Sequence, residues 1–223
     1  MKEAPARELA RGAVAAARNA RGLVGDAELL SSAGRLARAY SLAGLAVEEV
    51  GKAGSLATLA VMPDNVRARA PVGRMLEWHQ WKLVAGQLIA AVPLGEPGVA
   101  TCFVTLSLSE IAATLDTARA FAQDVDRLKQ RGLYVDVDRS GRVREPSEVT
   151  AAEVRDQLDR ARQTVWATNA LLDPRAPPWL ANPDAAAVEL SRALVSAFRE
   201  TGFARSPEAA ADVLLNAATK LHG

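Results

Sequence analysis

The sequence predicts an all-α protein, a bundle of long helices with a C-terminal helical extension, and three observations carry that prediction. Aromatic residues make up only 4% of the 223-residue chain while alanine and leucine abound, a balance that favours helix over strand. Apolar residues recur by alternate threes and fours over stretches far longer than a strand. Breaks bearing Pro and Gly separate those stretches. With 49% hydrophobic content, the chain can bury one sizeable core.

The first helix is expected from about Ala6 to Leu30, with Leu9, Ala13, Ala16, Ala20, Leu23, Ala27 and Leu30 on one stripe and a break over Ser31–Gly34. The second runs from about Arg35 to Val61 on the stripe Leu36, Tyr40, Ala43, Val47, Val50, Gly54 and Ala57, and Pro63-Asp64-Asn65 ends it. Pro71 can open a third helix to about Val92. Val99–Leu106 reads as a short strand or a loop. Ser109 and Glu110 lead into a fourth helix, to about Arg131. Leu133–Pro146 alternates and contains Ser140-Gly141, the pattern of a short extended or hairpin segment near 133–146. Thr150 and Glu153 have capping-box spacing and open a fifth helix, to about Leu172. After a Pro-rich connector, Asp173–Pro183, two shorter helices cover about Asp184–Glu200 and Ser206–Leu221. The expected organisation is a helical domain over 1–172 and a C-terminal helical extension over 173–223, within one compact unit.

Formal net charge is +1, so any contact with RNA has to come from a local basic patch. The single cysteine, Cys102, excludes an internal disulfide and reads as a buried small hydrophobe. Two histidines, His79 and His222, without an accompanying carboxylate cluster give no metal site, and no cofactor is expected. The N-terminal residues are charged and no long uninterrupted apolar run occurs, so the reading is a cytoplasmic protein without a membrane span. There is no glycine-rich phosphate loop or nucleophile elbow.

The polar residues of three segments are candidates for chemistry. In the second helix Glu48 and Lys52 lie away from the apolar stripe as an i,i+4 pair, which reads as a solvated surface pair. Beside Glu48 runs a stripe of small residues, Ala37, Gly44, Gly51 and Ser55. Glycine inside a helix costs roughly 1 kcal/mol, so such a stripe signals close approach by another backbone and puts Glu48 at the edge of a helix–helix or subunit seam. In the third helix His79 and Lys82 share a face with Gly86. A histidine in a partly dry site beside a lysine suits general acid–base work, whereas a lone histidine is more often a packing residue. Arg74 precedes His79 with four residues between, but on a continuous helix five steps turn the two side chains about 140° apart. At the end of the fourth helix, Lys129 and Arg131 suit the macrodipole, and Tyr134 and Asp136 fall on one face of an extended segment.

Taken in order, these segments resemble the AbiV family, a branch of the HEPN superfamily. The matching pieces are Asn19-Ala20-Arg21-Gly22-Leu23-Val24-Gly25-Asp26-Ala27, Leu45-Ala46-Val47-Glu48-Glu49-Val50-Gly51-Lys52-Ala53, then His79 and Lys82, then Arg131-Gly132-Leu133-Tyr134-Val135-Asp136 with Pro146 following. The resemblance covers about residues 10 to 170. It implies a long-helix bundle, a homodimer and a role in abortive infection, where infected cells stop phage propagation by shutting down growth. It implies as well metal-independent RNA cleavage of the HEPN type. His79 would then activate a ribose 2′-hydroxyl or protonate the leaving oxygen, Arg74, Lys82 or Arg131 would stabilise the charged phosphorane, and Glu48 or Asp136 would orient the histidine or a cation. Met75 follows Arg74 where the HEPN motif often has a polar residue, so Arg131, Tyr134 and Asp136 are the alternative equivalent of that motif. Asn19, Gly44, Glu49, Gly51 and Lys52 are assigned to structure or interface.

Three functions remain open at this level. The first is a ribonuclease toxin. The second is a non-catalytic module that senses a phage protein trigger, answers to an antitoxin or blocks translation by binding. The third is a helical protein whose polar residues build a dimer seam.

Overall fold

The computed structural model describes residues 5–62, 78–90, 107–133, 136–137, 140–144, 149–169, 185–201 and 207–222. Within them lie helices α1 (Ala6–Ser32), α2 (Leu36–Ala60), α3 (His79–Ala90), α4 (Leu108–Leu133), α5 (Ala151–Ala167), α6 (Ala185–Thr201) and α7 (Pro207–His222). A minimal antiparallel ladder joins β1 (Asp136–Val137) to β2 (Val143–Arg144), with Asp136 opposite Arg144. The protein is all-α, as its composition and periodicity predict, and the alternating segment is a hairpin whose turn uses Gly141 at φ 81°.

Local chemistry sets the helix ends. Gly34 adopts φ 71°, and the N–H groups of Gly34 and Arg35 donate to the carbonyls of Ser31 and Leu30 at 3.0 and 2.8 Å, a Schellman end to α1. The three-residue turn returns α2 against α1 along an interface where Ala16 and Ala17 cluster with Ala53. Thr150 and Glu153 form the expected capping box: the Glu153 carboxylate accepts from the Thr150 N–H at 2.7 Å and the Thr150 hydroxyl accepts from the Glu153 N–H at 3.3 Å. A second box opens α4, where Ser107 and Glu110 make the same reciprocal contacts. The fourth helix therefore starts just ahead of the expected Ser109.

Two expected boundaries move. Trp78 is not helical and α3 starts at His79, so the third helix does not run unbroken from Pro71 into this region. Helix α5 ends at Ala167 instead of Leu172, because the Thr168 N–H and hydroxyl turn back to the Val165 carbonyl at 3.0 and 2.7 Å. The readings of Val99–Leu106, of Cys102 and of the 173–183 connector lie outside the described residues.

Helix α2 is the centre of the bundle and packs against α1, α3, α4 and α5. Its buried set is accordingly wider than one stripe: Tyr40, Ala43, Val47 and Val50 are covered, and so are Ser41, Gly44, Glu48, Gly51 and Ser55. Helix α7 lies on α4 and α3, α6 lies on α7, and Leu190, Leu194, Leu214 and Ala218 join the same core as Val47, Leu83 and Val125.

Candidate functional site

The site begins with the backbone approach of α2 and α3. A Cβ added to Gly51 would overlap the Lys82 carbonyl, and one added to Gly86 would lie 2.5 Å from the Val47 carbonyl oxygen. Any larger side chain would push the helices apart, so the small-residue stripe does mark a close backbone approach. Gly44 extends it, with Val125 Cγ1 of α4 3.0 Å from where its Cβ would be. Trp81 locks the same seam, its indole N–H donating to Ser55 Oγ at 3.0 Å while that hydroxyl donates to the Gly51 carbonyl at 2.8 Å.

Glu48 sits one turn before Gly51, and the approach of the helices buries it to 3% exposure. Its carboxylate gathers three nitrogen groups from two other helices. Lys129 Nζ of α4 donates to Oε1 at 2.6 Å, His79 Nδ1 of α3 meets Oε2 at 2.7 Å, and Lys82 Nζ lies 3.7 Å from Oε2. Lys129 also reaches Asp126 at 3.4 Å. A carboxylate so deeply buried is tolerated only when ammonium groups and hydrogen bonds replace the lost water.

This geometry corrects two expectations. Glu48 is not a solvated partner of Lys52: Lys52 pairs with Glu49 at 3.3 Å on the helix surface, while Glu48 is drawn into the seam. The His79 side chain is not in a partly dry position but 60% exposed, held at one nitrogen and open to solvent around the other edge. A neutral ring that donates from Nδ1 to Glu48 would carry its lone pair on Nε2, the tautomer a general base requires.

Lys129 is the residue that sequence reasoning missed, having been ascribed to the helix dipole. The signal was present. Ile111, Leu115, Ala118, Ala122 and Val125 form the buried stripe of α4 by steps of four, three, four and three, and Lys129 is the next step of four. A lysine in a core register needs a buried anion, and Glu48 supplies it.

Of the other candidates, Arg74 and Tyr134 lie outside the described residues. Arg131 belongs to α4 and Asp136 to β1 by backbone alone, their side chains lying outside what is described. The structure thus unites Glu48, His79 and Lys82. Asn19 is exposed on α1. Among the described residues, no group of three or more His, Cys, Asp or Glu is arranged to hold a metal ion, and no helix is long and apolar enough to cross a membrane.

No curated protein and no solved structure matches the chain at a significant level. The HEPN family model described as AbiV matches residues 8–166, a span that runs from the first turn of α1 to the last turn of α5 and contains every member of the Glu48 cluster. On that match the chain belongs to the AbiV family of HEPN proteins.

Proposed function

We propose that this protein acts in abortive infection as a metal-independent ribonuclease centred on His79. The family supports the defence role, and the observation that carries the chemistry is the 2.7 Å contact between His79 Nδ1 and the buried Glu48 carboxylate. Glu48 orients the ring by holding its Nδ1 edge. Nε2 removes the proton of a ribose 2′-hydroxyl, and the oxygen attacks the adjacent phosphorus. The proton then passes to the departing 5′-oxygen, leaving a 2′,3′-cyclic phosphate and a 5′-hydroxyl. Lys82, with 12% side-chain exposure beside His79, supplies positive charge at the mouth of the site. Arg74 and Arg131 stay as candidates for binding the phosphorane, Tyr134 and Asp136 as members of the alternative motif, and a homodimer is the assembly in which two such sites would face one cleft.

The test is cleavage of total RNA and of a tRNA pool with EDTA present, comparing wild type with His79→Ala and Glu48→Gln. Loss in His79→Ala at unchanged helicity supports the reading, with a partial loss in Glu48→Gln because Gln still accepts one hydrogen bond. Cleavage that persists in His79→Ala ends it.

A second reading, a non-catalytic module that binds a phage protein, draws on the depth of the cluster. Glu48, Lys82 and Lys129 are all largely covered, as expected for a framework element. It predicts no cleavage by clean wild-type protein together with a stable complex with its partner.

A further inference from the structure

A groove of about 670 Å³, which neither Glu48 nor His79 lines, opens between α2, α4 and α5. That volume is in the range of sites that take small molecules or peptide side chains. Tyr40, Phe121 and Gln157 line it, and the Arg160 guanidinium lies over the Phe121 ring, 4.8 Å from its centre.

Gln157 is the unusual member. It is 2% exposed, and its Nε2 makes no hydrogen bond among the described residues. A buried amide without a partner is unfavourable, and natural proteins rarely keep one unless a ligand or water meets it. The lining charge says which kind of ligand. Asp116, Asp124, Glu153 and Asp156 face the groove against Arg127 and Arg160. Asp116 is paired with Arg119 at 3.3 Å and Asp124 with Arg127 at 3.0 Å, Arg160 is placed over Phe121, and Glu153 closes its capping box. Asp156 is left to meet a cation from outside. The Tyr40 phenol is pushed up to about 12, first by burial and then by Asp124 and Glu153, so it stays protonated and can donate to an acceptor.

We propose that this groove is a binding site for a basic peptide segment of a partner protein. An arginine or lysine side chain pairs with Asp156 beside the Phe121 and Tyr40 rings, and a backbone carbonyl of the same segment accepts from Gln157 or Tyr40. Nucleic acid is disfavoured by the excess of carboxylates, and a simple polyamine offers no acceptor for the amide. The site is separate from the Glu48 cluster and stands whether or not the protein cleaves RNA.

The experiment is calorimetric or ligand-observed NMR titration of the full chain with a blocked glycine–arginine–glycine tripeptide. Its arms are the glutamate analogue, spermidine and a short oligouridylate. The arginine peptide is expected to bind, and Asp156→Asn and Gln157→Met to weaken it by about tenfold each. Gln157→Met should leave the melting temperature unchanged or raise it, because no hydrogen bond within the protein is lost. A substitution that only disturbed the fold would lower it. Absence of binding by the arginine peptide overturns the proposal, as does binding indifferent to both substitutions. Equal or tighter binding of the glutamate peptide, spermidine or the oligouridylate also overturns it.

Discussion

Lys129 and Glu48, eighty-one positions apart in the chain, meet at 2.6 Å with both side chains almost fully buried. Removing one partner of such a pair strands the other charge, at a cost of about 3–5 kcal/mol, whereas removing both is far milder. Lys129→Met is expected near the lower figure, since Lys82 remains to face Glu48. Glu48→Met should cost more, because it leaves two lysines together. The double variant should lose less than the sum of the two. Urea unfolding of the three proteins checks this, and a neutral Lys129→Met would remove the pair from any account of stability.

The glycines at the seam should respond oppositely to those on the surface. Gly51→Ala and Gly86→Ala place a methyl group in the backbone of the facing helix, and overpacking of this kind costs about 1–3 kcal/mol or more. Gly22→Ala and Gly25→Ala meet nothing within 4 Å, so each should gain up to about 1 kcal/mol of helix propensity. Melting temperatures that fall for all four variants would contradict the reading of the seam.

The Ser107–Glu110 box predicts a pH effect. Hydrogen bonds from the Ser107 hydroxyl and backbone N–H hold the Glu110 carboxyl below its ordinary value. A lowered folded value means that the stabilisation is present above the ordinary glutamate pKa and is lost as pH falls through the folded one. Carboxyl NMR titration should find Glu110 ionising below the usual range, and Ser107→Ala should move it part of the way back, because the backbone N–H still donates.

Tyr40 gives the opposite sign. With its phenol at about 12, the folded state resists ionisation that the unfolded chain undergoes near 10, so stability is intact below 10 and declines as pH rises through 12. Ultraviolet absorbance titration should separate a late-ionising tyrosine, absent in Tyr40→Phe. Asp124→Asn should lower its pKa, and a Tyr40 that titrates near 10 in the intact protein would exclude the buried phenol.

The sequence by itself determined the helices, their order and most of their ends, because those depend on local matters: three-and-four periodicity, the Thr150–Glu153 spacing, a glycine at position 34. It also determined the family, through motifs whose order needs no coordinates. It singled out Glu48, His79 and Lys82 as polar residues on marked faces, and the small-residue stripe pointed to the seam that joins them. Only the tertiary structure decided which partners they take. Glu48 could equally have paired with Lys52 four residues on, and on one helix that is the nearer choice. The seam at Gly51 and Gly86 instead turns the carboxylate inward, where low polarity makes an unpaired charge costly and draws Lys129 from a distant helix. The partner of a buried charge is set by which helices pack together, and spacing along one helix does not contain that information.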